Sequence, residues 1–198
     1  YGVPYGYEGL VASKGHKPHI LDAECVDMIH MDGGSILGSS RGAQDVGEMV
    51  QSLVNMRVNL FFAIGGDGTL RGASKIADEI KRRKLAISVV GIPKTIDNDL
   101  GATAFTFGFD SAVSAATDAL DRLRTTAASH ERIMVLEVMG RHAGWIALHS
   151  GLAGGASCIL IPEVKFSVEQ VCKWVESRFE QSYSPIIVIA EGAIPQDG

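Results

Sequence analysis

The chain has 198 residues, 23 of them glycine, and a formal charge of −5. That length allows one or two domains with a sizeable core, and the acidic balance argues against general affinity for nucleic acid. No apolar run reaches the roughly 18 residues a membrane helix needs, and none reads as a signal peptide. Three cysteines, Cys25, Cys158 and Cys172, lack metal-ligand spacing. Cys158 and Cys172 fall in apolar periodic stretches, so buried free thiols in a reducing, cytoplasmic setting are expected. The sequence starts on Tyr1 and stops at Gly198 just after a strand-like run, and is expected to be a piece of a longer chain.

Residues 1–10 read as a strand end and a loop, with the tyrosines packed on a sheet edge. Residues 21–31 predict a short helix with Val26, Ile29 and His30 on one side. A small, polar, flexible loop, Gly33 to Gly42, ends on Arg41 and Gly42 and could offer N–H groups to phosphate oxygens. Residues 43–56 predict a helix with the stripe Val46, Met49, Val50 and Leu53. Residues 59–64 are an unbroken apolar strand, the pattern of a sheet covered on both faces. The turn Gly65-Gly66-Asp67-Gly68-Thr69 then opens a helix that buries Leu70, Ala73, Ile76, Ala77 and Ile80. The run Lys81 to Lys84 reads as its solvated cap.

A strand over 86–92 runs into Pro93-Lys94-Thr95-Ile96-Asp97-Asn98-Asp99. Asp110 is placed as N-cap of a helix to Arg124 that buries Ala112, Val113, Ala116, Leu120 and Leu123, followed by a polar connection over 125–131. A strand over 132–139 leads through Gly140-Arg141 into a helix. A strand over 157–161 ends at Pro162, and Ser167 to Gln170 fits a capping box for a helix burying Val168, Val171, Cys172, Val175 and Phe179. The last strand is 185–190, then Glu191-Gly192. This alternation predicts an α/β fold with mostly parallel sheets and helices on both faces.

In such folds ligands bind at the carboxyl ends of strands, so the Asp67 turn and the Asp97 loop are expected to face one crevice. Asp97, close to a cation, is the candidate base for a hydroxyl proton. Asp67 is the candidate Mg²⁺ ligand, with Asp99 able to share it. Gly66, Gly68 and Thr69 let backbone approach an anion at a helix N-terminus. Arg132 and Arg141 are candidate phosphate binders, and Glu191 could accept a hydrogen bond from a sugar hydroxyl. His142 and His149, on one face of a helix by spacing, and Trp145 are given structural roles.

Gly65 to Thr69, Thr95 to Asp99 and Met139-Gly140-Arg141 together make the chain resemble the phosphofructokinase family from Tyr7 to Gly192. Gly-Gly-Asp-Gly-Thr alone is also similar to NAD and diacylglycerol kinases; Thr-Ile-Asp-Asn-Asp is far more specific. The resemblance implies a two-lobed, three-layer fold incomplete at both ends, with a donor lobe over 1–108 and a sugar-phosphate lobe over 109–198. It implies transfer from ATP–Mg²⁺ to the 1-hydroxyl of fructose 6-phosphate, a glycolytic step giving fructose 1,6-bisphosphate. Asp97 matches the family's proton acceptor. Thr95, Met139, Gly140, Arg141 and Glu191 match substrate contacts, Thr95 and Arg141 being grouped with Asp97 in catalysis. Arg132 matches an arginine that reaches a neighbouring subunit's substrate, which implies a homo-oligomer, dimer or tetramer. The 33–42 loop is similar to a family loop, Gly-Gly-Thr-x-Leu-Gly-Ser-x-Arg, whose arginine lies near the transferring phosphate, and Ser35 keeps the threonine's hydroxyl.

Two positions bear on the donor. Gly68 resembles ATP-using members, because an aspartate there would crowd and repel the α-phosphate. Lys94 resembles pyrophosphate-using members, although some ATP-using members combine the two. ATP is favoured over pyrophosphate because the steric block is absent. A NAD- or lipid-kinase-like enzyme is a distant alternative, disfavoured by Thr95 to Asp99. A non-catalytic regulatory subunit is another, disfavoured by intact Asp67, Asp97 and Arg141.

Overall fold

The computed structural model describes residues 1–181 and 184–196. The chain forms two compact units, Tyr1–Ile92 and Pro93–Gly198.

The first unit opens irregularly. Gly2 bridges His19, and Gly6–Leu10 is a 3₁₀ turn entered through Tyr5 at φ +55°. The expected strand end is therefore a coil, as Gly2, Pro4, Gly6 and Gly9 interrupt any ladder. Tyr1 and Tyr5 are exposed, not packed on a sheet edge. The helix expected over 21–31 breaks into α1, Ala23–Val26, and a 3₁₀ turn, Ile29–Met31. Val26 and Ile29 find no surface to bury against, so little rewards a longer helix.

The regular part starts at Asp45, whose carboxylate accepts the Glu48 N–H at 2.7 Å and caps α2, Val46–Asn55. Strand β1, Leu60–Gly65, is followed by α3, Asp67–Arg82, and by β2, Ser88–Thr95, which lies beside β1. Met49, Val50 and Leu53 of α2 and Ile76 and Ile80 of α3 join Leu10 and Val11 in one core. Arg82 and Arg83 both bond Glu79, at 2.6–2.7 Å, so the basic run is a knitted helix end. Two expectations change. Strand β2 sits later than 86–92 and takes in Pro93, Lys94 and Thr95. Leu60, Phe62 and Ile64 of β1 are 47–58 % exposed, so this stretch of sheet is covered on one face, not two.

In the second unit the end of β2 pairs in parallel with β3, Phe107–Gly108. Helix α4, Phe109–His130, follows at once; its N-cap is Gly108, at φ +105°, and Asp110 is an acid of the first turn instead. The helix runs past Arg124 because residues 125–130 contain neither glycine nor proline and Ala127 is buried. It stops where Glu131 turns left-handed. Strands β4, Met134–Val138, β5, Cys158–Leu160, and β6, Ile186–Ala190, form a parallel sheet in the order β4-β6-β5. Helix α5, Trp145–Ala153, and helix α6, Val168–Phe179, complete the unit, α6 capped by Ser167 on the Gln170 N–H. The central strand β6 is the most buried, and Ile186 and Val188 join Phe109, Leu120 and Ile146 in the core. Helix α6 buries Val175 alone; Cys172 is exposed and Cys158 half-buried, so the expectation of buried thiols fails at Cys172. No helix among the described residues is long and apolar enough to cross a membrane.

Candidate functional site

In the first unit the site residues gather at the start of α3. Its N-cap is Gly66, with no side chain bonded to the first N–H groups. Such an open helix N-terminus favours anions. Asp67, in that first turn, is bonded on both oxygens by Arg71, at 2.9 and 2.6 Å. Arg71 is 76 % exposed at its side chain, so the pair is loosely held and Asp67 remains within reach of solvent. A Cβ added at Gly68 meets nothing within 4 Å. Thr69 is fixed through its carbonyl, which accepts the Tyr7 hydroxyl at 2.5 Å. Burial pushes the Tyr7 hydroxyl up to about 12, which keeps it a donor. Tyr7 is thus no sheet-edge residue; its contact with Thr69 spans 62 residues and leaves no local trace in the sequence. Residues 33–42 form no helix or strand, and Arg41 and Gly42 are exposed there. The Ser35 hydroxyl accepts the Leu37 N–H at 3.2 Å.

The second unit builds a tighter cluster. Asp97 is 8 % exposed, just past the end of β2, and its N–H donates to Thr95 Oγ1 at 3.2 Å. Burial pushes its carboxyl above the ordinary value, and the nearby Asp99 charge adds to this. A hydrogen bond from Thr95 and the charge of Arg141 pull it back, while Glu191 pushes it up again. Thr95, Asp99, Arg141 and Glu191 therefore act on the one carboxyl of Asp97, although they come from three segments. Lys94 and Asp99 are exposed, and Asp99 edges an open hollow of about 420 Å³ that Trp145 and His149 also line.

The Gly140-Arg141 turn is held from the end of β6. Glu191 Oε1 accepts the N–H groups of Gly140, at 3.0 Å, and Arg141, at 2.7 Å. Gly140 has φ +142°, and any Cβ there would lie 2.4 Å from the Ala143 carbonyl oxygen. A Cβ on Gly192 would lie 2.1 Å from the Arg141 carbonyl oxygen, so both glycines are required by close approach. Arg141 itself is left-handed, at φ +56°, and exposed. Glu191 is thus already committed through one oxygen, a role its place in the sequence did not reveal.

Arg132 is not part of this cluster. It lies before β4, and Met139 lies after it, so at about 3.3 Å per residue they stand roughly 20 Å apart. His142 precedes α5, so it shares no helix face with His149. The His149 ring lies edge-on to Phe109, at 5.2 Å, and to Trp145, at 6.0 Å. At the N-terminus of α5 the Glu163 carboxylate accepts the Gly144 N–H at 2.9 Å, so that helix end already carries an acid of the chain itself.

A family model described as phosphofructokinase matches residues 1–198. Over 183 residues the chain is 56 % identical to a pyrophosphate–fructose 6-phosphate 1-phosphotransferase of Streptomyces coelicolor, covering 90 % of this chain and 52 % of that protein. It is 50 % identical over 204 residues to an ATP-dependent 6-phosphofructokinase of Corynebacterium efficiens, covering all of this chain and 56 % of the relative. Among solved structures, the pyrophosphate-dependent phosphofructokinase of Marinobacter aquaeolei superposes with a TM-score of 0.85 at 29 % identity, covering 99 % of this chain and 52 % of that one. The T-state phosphofructokinase of Pichia pastoris gives 0.87 at 31 %, covering 100 % and 23 %. The chain spans about half the length of the curated relatives it matches.

Proposed function

The chain belongs to the phosphofructokinase family, and from that premise we propose that its parent protein transfers a phosphoryl group from ATP–Mg²⁺ to the 1-hydroxyl of fructose 6-phosphate. The observation that carries this reading is Asp97: a nearly buried carboxyl with a raised proton affinity, at a strand end, beside the cation Arg141. Such a group suits a base that must take a proton as a bond to phosphorus forms.

In this reading Asp97 accepts the hydroxyl proton while the oxygen attacks the transferring phosphorus and the donor's leaving oxygen departs. Arg141 neutralises phosphate charge, and Thr95 orients Asp97. Glu191 holds the Gly140-Arg141 turn with Oε1 and turns Oε2 to the sugar, next to Met139. Arg132, far from the cluster along β4, serves the acceptor site of a neighbouring subunit, so the parent works as a cytoplasmic homo-oligomer. Arg41, Gly42, Gly66, Gly68, Thr69 and Lys94 bind the donor. The donor lobe takes residues 1–108 and the acceptor lobe 109–198.

No group of three or more His, Cys, Asp or Glu side chains is placed to hold a metal ion among the described residues. Magnesium needs only one or two carboxylates beside water and phosphate oxygens, so half-buried Asp67 fits it, with exposed Asp99 a second candidate. When bound, Mg²⁺ would offset the charge of the donor phosphates.

Pyrophosphate as donor is the second reading. Lys94 and the 56 % identity to a pyrophosphate-named relative favour it. Gly68 favours ATP, because the open space above it leaves room for a nucleotide α-phosphate. A coupled assay for fructose 1,6-bisphosphate on the full-length parent with Mg²⁺ tests both. Turnover with ATP is expected. Turnover with pyrophosphate alone would replace the donor, and turnover with neither would overturn the function.

A further inference from the structure

Between the two acids of the central loop stands a residue the proposed chemistry does not use. Asn98 is left-handed, at φ +53°. Its Oδ1 accepts the Thr106 N–H at 2.9 Å and lies 3.3 Å from Thr106 Oγ1, and its Nδ2 donates to the Ala104 carbonyl at 3.3 Å. Thr106 is 5 % exposed, and its hydroxyl donates to the Thr95 carbonyl at 2.7 Å. The loop over 96–106 is therefore closed twice at its neck: Thr106 ties back to the last residue of β2, and Asn98 ties forward to Ala104 and Thr106. Asp97 lies between the two fastenings. Thr95 before it and Asn98 after it are held, while its carboxylate takes no part in the clasp.

We propose that the Asn98–Thr106 clasp is a positioning device for Asp97, which fixes where the carboxylate stands without touching the reacting atoms. The inference rests on Asp97 being the proton acceptor. A loop of this length without the clasp would let Asp97 wander by an ångström or so, and misplacement on the order of 1 Å can cost about 10²-fold in rate. Binding of the sugar phosphate would depend on the separately held Gly140-Arg141 turn. Loss of the clasp should then appear in kcat and leave KM nearly alone.

The test compares the full-length parent with Thr106→Val, Thr106→Ser and Asn98→Gly. Valine keeps the shape of threonine and removes the hydroxyl; serine restores it. Glycine accepts the left-handed backbone at residue 98 and removes every bond that the Asn98 side chain makes in the clasp, so it decides the matter if Thr106→Val fails to fold. The expected result is a fall in kcat of about ten- to a hundredfold for Thr106→Val and Asn98→Gly, with KM for fructose 6-phosphate changed less than about threefold. Thr106→Ser should recover most of the loss. Folded Asn98→Gly with wild-type kcat would overturn the proposal, and so would a serine variant as poor as valine, which would make Thr106 a packing residue. Wild-type turnover beside unaffected variants removes the clasp alone; absence of wild-type turnover with either donor removes the functional reading and the clasp with it.

Discussion

Asp67 and Asp97 each follow a strand, each beside a glycine or threonine and a cation, and they end in opposite conditions. Asp67 stands on an open helix end, its carboxylate shared with an exposed arginine one turn away. Asp97 is nearly buried, its proton affinity raised by burial and by two acidic neighbours and moderated by Thr95 and Arg141. The lesson is that burial, not residue type, separates a carboxylate that meets ligands and ions from one equipped to take a proton.

The sharpest way to break that contrast is Asp97→Asn in the full-length parent. Turnover is expected to fall by about 10²–10⁴-fold, the usual share of a general base, with KM for fructose 6-phosphate little changed. Undiminished turnover would return Asp97 to the status of an ordinary turn residue. On the other side, Gly68→Asp puts a carboxylate where a donor α-phosphate would lie. A like-charge juxtaposition of several kcal/mol should cut kcat/KM for ATP by about a hundredfold, and thermal melting should stay unchanged because the site is sterically open.

Asp97 also sets a pH dependence with a definite sign. The base form exists only above its raised value, so kcat/KM should fall on the acid side at a higher pH than an ordinary carboxylate would give. Glu191→Gln keeps an oxygen for the Gly140 and Arg141 N–H groups and removes a charge that raises Asp97, so that limb should move to lower pH. Stability runs the other way. A raised folded-state value means the folded chain holds the proton more tightly, so stability is lost as pH rises from the unfolded to the folded value. The cost persists at neutrality. Asp97→Asn should therefore melt higher at pH 7 in EDTA, by about 2–4 °C for each kcal/mol relieved. A lower melting temperature would count against the burial argument.

The smallest effect belongs to Arg71→Ala. An exposed pair is worth about 0–1 kcal/mol, so the melting temperature should barely move. If Asp67 is a metal ligand, half-maximal turnover should occur at lower Mg²⁺. An unchanged Mg²⁺ profile would remove Asp67 from the metal site.

The alternation of strands and helices was readable because periodicity is local, and so was the place of Asp67, Asp97 and Glu191 just past the ends of strands. Arg141 and Glu191 meet because β4 and β6 are paired in parallel and end side by side. What escaped the sequence was set by distant partners. Pro93 suggested the end of a strand, yet Lys94 and Thr95 continue it because Phe107 and Gly108 offer a ladder. Asp110 had the chemistry of a cap, and the left-handed Gly108 took the position. Cys172 followed an apolar stripe, but within α6 only Val175 is fully buried. The grip of Glu191 on residues 51 and 50 positions earlier, and of Tyr7 on Thr69, could not be read from any window.

The exposed apolar side chains on and beside the strands have a consequence for the molecule in dilute solution. Leu60, Phe62 and Ile64 in the first unit, and Ile133 and Val135 in the second, present wet hydrocarbon to solvent. Exposed apolar surface gains free energy by pressing against other apolar surface, including its own copies. The colloidal behaviour of this chain is thus tied to concentration and salt: sulfate strengthens such contacts by being excluded from the surface, and a fluorescent dye that favours oily surfaces should brighten on the folded protein before any unfolding begins.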